Sequence, residues 1–341
     1  MRGCSLFVVR CWLQRTTNNE QRTMLSRVAD ALFWMSRNLE RAEHVARLLD
    51  ISFLLELDLR GVLAGPHELH WTSVAAILQQ PVTGSNDRAS TPQALVSRWF
   101  TFDLANPTSI MSCISRARYN ARSIRGTINS AMWKELNKLY WQLADPEFSS
   151  RVRESPHEFY EAVECGSDLF QGVCDATLNH DEGWQFIQLG KFLERADKTL
   201  RIIDIQYHLL HELSDPADLS LSNLQWASVL RSCRAYEAYQ RVYVGRVERE
   251  HVIEFLLLHP SFPRSVHFCL EAAASSLAAI EGPVPGRGLS KVDRILGQVL
   301  SDLRFVELEQ ILKSDLHTFL GSVLERCAQV TRAVQEQYSL H

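Results

Sequence analysis

The stretch VADALFWMSRNLERAEHVARLLDISF, residues 28–53, decides the fold. Its apolar positions Val28, Leu32, Met35, Leu39, Ala42, Ala46, Leu49 and Phe53 advance in steps of three and four, the period of one helix face. Kept over this length, that register predicts one long amphipathic helix over about 25–58, closed by Gly61, Gly65 and Pro66. Helical patterning recurs at about 70–80, 92–103, 108–143, 156–180, 184–213, 221–244, 249–258, 263–281, 291–312 and 314–338. Turn chemistry interrupts it at PVTGSND (81–87), Asp145-Pro146, Asp215-Pro216, His259-Pro260 and GPVPGRG (282–288). Strand-like alternation is nearly absent and only 15 glycines occur, so βα phosphate-binding folds have no footing. The class is all-α, a helical bundle.

The chain also resembles itself. Leu39–Ile51 reads LERAEHVARLLDI and Leu193–Ile205 reads LERADKTLRIIDI, identical at seven of thirteen positions at an offset of 154. Trp71-Thr-Ser-Val74 matches Trp226-Ala-Ser-Val229, and Phe100 falls on Phe255, at an offset of 155; Pro107, Ser109 and Cys113 fall on Pro263, Ser265 and Cys269 at 156. Blocks in one order at a nearly constant offset imply two diverged tandem copies, 24–181 and 182–341, within one compact domain. Their long helices are expected to lie antiparallel and in contact. A weaker third echo is Leu324-Glu325-Arg326 with Arg332.

Composition excludes several classes. A net charge of −4 gives no general pull toward nucleic acid. No apolar run reaches the roughly 18 residues that span a bilayer. The eight cysteines show no zinc spacing and read as buried apolar residues in a reducing cytoplasm. Residues 1–23 lack a helical period and any signal-peptide core, and are expected to be an extension upstream of a natural start at Met24.

The repeated block carries the candidate polar network. On the helix face centred on Leu39, Glu43 and Asp50 lie within about 40° of the buried stripe, with Arg47 at its edge. Glu43 to Arg47 is an i,i+4 pair and Arg47 to Asp50 an i,i+3 pair, so one guanidinium can bridge both acids. The second copy offers Asp197, Arg201 and Asp204 at the same spacing. Partly buried charge is costly unless paired, so the plainer reading is an ion network fixing helix register. The sharper reading is an enzyme whose carboxylate site, with or without a metal, lies between the repeats. Glu40 leans outward with His44 one turn on, as a solvated pair.

Two faces suit a partner. Arg118, Arg122 and Arg125, with Arg116 beside them, share a helix side and require acids from a neighbouring helix or an anionic partner. Tyr236, Tyr239 and Tyr243 share another side amid Arg231, Arg234, Arg241 and Arg246, as half-buried packing or an interface. A di-metal bundle needs two Glu-x-x-His sites, and only Glu248–His251 has that spacing. P-loop, nucleophile-elbow and H-E-x-x-H motifs are missing, so no catalytic residue, cofactor or metal is expected.

MLSRVADALFWMSRNLERAEHVARLLD (24–50), GKFLERADKTLRIID (190–204), WASVLRSCRAYEAYQRVY (226–243) and FLLLHPSFPRSVHFCL (255–270) together resemble the alpha-E domain family, bacterial all-helical proteins named for an "ER" motif. The resemblance covers essentially 24–340 and implies an α-helical fold. It further implies association with circularly permuted ATP-grasp proteins and transglutaminase-like proteins, hence a part in peptide or amide-bond modification. The motif residues it carries over are Glu40, Arg41, Glu194 and Arg195, with no catalytic role. The resulting expectation is a non-catalytic accessory or scaffold to an ATP-grasp ligase.

Overall fold

A computed structural model describes residues 24, 26–62, 68–80, 91–213, 219–282 and 288–338. The expected extension at 1–23, the PVTGSND turn and Asp215-Pro216 lie outside the described residues. The described chain is helical throughout, without strands. The first half holds α1 (Ser26–Val62), α2 (Glu68–Leu78), α3 (Pro92–Thr101), α4 (Ile110–Ser123), α5 (Ser130–Ala144), the short α6 (Pro146–Ser150) and α7 (Pro156–Thr177). The second holds α8 (Glu182–Leu213), α9 (Leu219–Ser232), α10 (Tyr236–Val242), α11 (Arg249–Leu258), α12 (Val266–Glu281), α13 (Lys291–Phe305), α14 (Leu308–Ser314) and α15 (Leu316–Tyr338).

Three expected helices are each two. The pattern over 108–143 breaks between α4 and α5, where Gly126 lies in a turn and Asn129 caps α5 by accepting from the Met132 N–H at 2.8 Å. That over 221–244 breaks at Arg234, whose φ of 50° ends α9, with the Ala235 N–H reaching back to the Leu230 carbonyl at 2.7 Å. That over 291–312 breaks after Phe305.

The long helices α1 and α8 form the axis of the molecule, and they run parallel, which corrects the antiparallel expectation. Their contacts advance together: the Met24 N–H meets Glu182 at 3.1 Å, the Ser36 hydroxyl donates to the Ile187 carbonyl at 2.7 Å, and Arg41 meets Glu194 at 2.6 Å. Helices α2 to α7 return the chain to the end where α1 began, so α8 starts level with it. Gly190 sits at the closest approach, where a β-carbon would come within 2.5 Å of the Phe33 carbonyl oxygen.

Around this axis α4 and α7 pack on α1, as α12 and α15 pack on α8; α5 packs on α7 as α13 does on α15. Helix α9 lies against α1, and α2 against α8. Matching residues also take matching roles. Ser109 and Ser265 cap α4 and α12 by accepting the Ser112 and Phe268 N–H groups at 3.2 and 3.1 Å. Cys113 and Cys269 each hydrogen-bond a proline carbonyl, Pro107 and Pro263, at 3.7 and 3.5 Å. Trp71 and Trp226, Phe100 and Phe255 are buried pairs of the core.

Candidate functional site

Glu40-Arg41 on α1 and Glu194-Arg195 on α8 face each other at one height, and they exchange partners. Arg41 grips Glu194 with two bonds, at 2.6 and 2.9 Å, and Arg37 adds a third at 2.8 Å. Arg195 donates to Glu40 at 2.6 Å, and Gln171 of α7 bridges them, accepting from Arg195 at 3.0 Å and donating to Glu40 at 3.2 Å. Each Glu-Arg pair is thus completed across the helix interface. Glu40 is 3 % exposed. This corrects the solvated Glu40–His44 pair: the parallel neighbour covers the side of α1 that helical periodicity alone turns outward, and His44 is buried too.

A second layer lies one turn on. Glu43 pairs with Arg47 on its own helix and takes a bond from Arg264 at 3.0 Å, while Arg234 stands 3.7 Å away. Arg264 also reaches Glu40 at 3.2 Å. Arg234 is tied outward to Glu164 and Asp168 of α7, at 2.7 Å each. On α8, Arg201 grips Asp197 at 2.7 and 2.9 Å, joined by Lys198 at 2.9 Å. Asp50 and Asp204 do not join in, so the Arg47–Asp50 bridge is corrected. Each instead ties its long helix to a peripheral one, Asp50 to His157 at 2.9 Å and Asp204 to His317 at 2.6 Å.

The electrostatics follow from this crowding. Burial raises the carboxyl pKa of Glu43, but the guanidiniums of Arg264, Arg47 and Arg234 outweigh it and hold the acid far below its usual range. Arg41, Lys198 and Arg37 do the same for Glu194, as Lys198 and Arg201 do for Asp197. Arg47 is lowered, first by burial and then by repulsion from Arg264, the mark of several cations sharing one carboxylate. His44, pressed by burial and then by Arg47 and Lys198, stays neutral, and its Nε2 has no hydrogen-bond partner. The hollow beside it, between Glu40, Arg195, Lys198, Cys233 and Arg264, has room for about one water. The Cys233 thiol is pushed up to about 11 by burial, so it is no nucleophile at neutral pH.

These acids are fixed and neutralised rather than presented. A general base or metal ligand needs an accessible lone pair, and Glu40, Glu43, Glu194 and Asp197 spend theirs on arginine and lysine. Sequence reasoning missed Arg37, Gln171, Lys198 and Arg264, and it placed Arg234 beside the tyrosine face rather than in this network. Of those missed, Arg264 left a trace, as the arginine in FPRSV where the aligned block NPTSI has Thr108.

The partner faces differ. Tyr239 is buried, stacked at 4.9 Å on Tyr243, whose hydroxyl is held by Glu254 and whose ring carries His251. Tyr239 is thus core, while Tyr236 and Tyr243 are half-buried, as the packing alternative for this side has them. The Glu325-Arg326 echo sits on the surface, with Glu325 bound to Arg332 at 2.8 Å. Cys165 is exposed, against the buried expectation; Cys113, Cys174, Cys233, Cys269 and Cys327 are buried.

Fold and site define an all-helical protein organised around crossed Glu–Arg pairs. The chain belongs to the Alpha-E family, described as a predicted alpha-helical domain with a conserved ER motif, whose profile covers residues 24–338. Uncharacterized proteins of Mycobacterium bovis and of two strains of Mycobacterium tuberculosis are similar to it, 24% identical over 322 residues that cover 87% of this chain. The chain spans only 35% of the length of these relatives. No solved structure matches it. Among the described residues, no helix is long and apolar enough to cross a membrane.

Proposed function

We propose that this protein is a non-catalytic helical subunit, built from two copies of one unit, that works in the cytoplasm with a circularly permuted ATP-grasp ligase, and with a transglutaminase-like protein, in peptide or amide-bond modification. The observation that carries this reading is the neutralisation of the central acids: Glu43 and Glu194 are completely buried and each meets at least two cations. Amide formation requires an activated acyl group, and this set of side chains has no means of making one, so activation falls to a partner. The mycobacterial relatives support the division of labour, since in them the matching region is 35% of a polypeptide that carries other sequence beside it. The paired packing of α1 with α4 and α8 with α12 supports the two-copy origin. Superposing 26–144 on 182–305 tests it, and unrelated paths sink it.

Co-purification tests the partnership. The tagged protein retains its cognate ATP-grasp protein at micromolar concentration, and ATP is hydrolysed only when the ligase is present. ATP consumption by this chain alone, or no association, overturns the reading.

A further inference from the structure

The hairpin of α4 and α5 differs in charge from everything around it. Between Ile110 and Ala144 lie Arg116, Arg118, Arg122, Arg125, Lys134 and Lys138 against one acid, Glu135, a net +5 in a chain of −4, leaving −9 for the remainder. None of these six cations has an ion-pair partner among the described residues. The matching hairpin of α12 and α13 is balanced, and two of its cations find acids: Arg304 meets Glu271 at 2.5 Å and Lys291 meets Glu336 at 2.9 Å. Acids from a neighbouring helix, the internal solution to the arginine row, are therefore not supplied.

Aromatic rings are supplied instead. The Arg118 guanidinium lies 4.4 Å from the Tyr140 ring centre and 5.3 Å from Trp141, and donates to Asn137 at 2.8 Å. Arg125 lies 4.9 Å from Trp133. Rings fix the direction of a guanidinium without neutralising it, so its charge stays free for a second partner. Around them Arg122, Lys134 and Lys138 are exposed, as are Tyr119 at 71 % and Trp141 at 59 %. Oriented arginines beside exposed aromatic rings are the composition of an interface centre.

We propose that the α4–α5 face docks an acidic segment of a protein partner, one in which carboxylates alternate with apolar side chains. The carboxylates meet Arg122, Arg125 and Lys138, and the apolar side chains cover Trp141 and Tyr119. The −9 carried by the rest of the chain disfavours an extended polyanion such as a nucleic acid, whereas a short acidic segment stays within the basic face. This deepens the partner-subunit reading by naming the chemistry of the contact.

Fluorescence anisotropy of the full chain tests it with a labelled twelve-residue peptide of alternating Glu and Leu. Its Gln-for-Glu counterpart and a twelve-nucleotide oligothymidylate serve as competitors. The Glu peptide binds, at least tenfold more weakly to the Arg122→Glu/Arg125→Glu variant and when salt rises from 50 to 200 mM. Trp141→Ala weakens it at least threefold, and Arg294→Glu on the balanced hairpin leaves it unchanged. Helical content is checked by circular dichroism, and Lys134→Glu/Lys138→Glu replaces the arginine variant if that one does not fold. Equal binding of the Gln peptide, tighter binding of the oligonucleotide, no binding, or indifference to charge reversal overturns the proposal. Absence of the ligase from co-purification bears only on the preceding reading, because the peptide needs no ligase.

Discussion

At the scale of the residue, Glu40 shows how much a neighbour changes the worth of one carboxylate. As a surface acid its removal costs under about 1 kcal/mol. Buried and holding Arg195, Arg264 and Gln171, it leaves two cations short of an acceptor when removed, and Glu40→Ala is expected to cost about 3–5 kcal/mol in urea denaturation. A cycle with Arg195→Ala checks the pairing: coupling of at least about 1 kcal/mol is expected, and additive losses refute it. His44 gives the second expectation. Its folded pKa is depressed below the ordinary 6.5, so below that pH the unfolded chain takes a proton that the folded one refuses. Stability therefore falls as pH drops from about 6.5, by up to about 1.4 kcal/mol per unit. His157 and His317 are raised, by bonds to Asp50 and Asp204, and act in the opposite sense: their contribution is full below 6.5 and is lost as pH rises through their folded values. Glu43, Glu194 and Asp197, all lowered, lose theirs only in stronger acid, below about pH 4. Subtracting the His44→Leu profile from that of the parent between pH 5 and 6.5 isolates the His44 slope, and identical profiles reject it. Glu43 with Arg47 was legible because both lie on one helix at i,i+4; Arg264 and Arg234 reach the same acid from elsewhere in the chain, and periodicity says nothing about such distances.

At the scale of the element, the glycines separate contact from flexibility. Gly190 faces the Phe33 carbonyl at a point where neither backbone has a flexible end to move. Gly190→Ala is expected to destabilise by about 1–3 kcal/mol, despite alanine's better helix propensity. Gly172, also helical, has nothing near its missing β-carbon, and Gly172→Ala is expected to stabilise by about 0.5–1 kcal/mol. Thermal melts of both check the sign, and a stabilised Gly190→Ala would refute the close crossing of α1 and α8. The helical stretches were legible from three- and four-residue steps, α11 to the residue, but three of them hid a break and the short α6 was not expected. The missed breaks share a cause: apolar spacing continues across them. The α9–α10 break is made by Arg234 in a left-handed conformation rather than by glycine or proline, and the aligned Gln79 takes the same conformation at φ 55° after α2.

At the scale of the whole molecule, the two-block pattern was legible by self-comparison, but the direction of the second long helix was not. Direction depends on whether α2 to α7 make an odd or even return, which their lengths alone leave undecided. The parallel arrangement has a consequence for how the chain holds together. Arg41 is satisfied by Glu194 and Arg195 by Glu40, the reciprocal contact that two identical subunits make across a two-fold axis. Such a contact does not depend on covalent continuity. Breaking the chain between Thr177 and Glu182, where α7 hands over to α8, removes neither crossed Glu–Arg pair and leaves each fragment with half of both. Fragments 24–179 and 180–338 are therefore expected to be insoluble or unfolded when expressed singly and to combine one-to-one when co-expressed, melting in a single transition. Two separable transitions, or a well-folded lone fragment, would mean that the crossed pairs decorate an interface held by other forces. A heterodimer from a severed chain would mean that the loop at 178–181 is a tether, and that the affinity of one half for the other is written in four side chains and the helices that carry them.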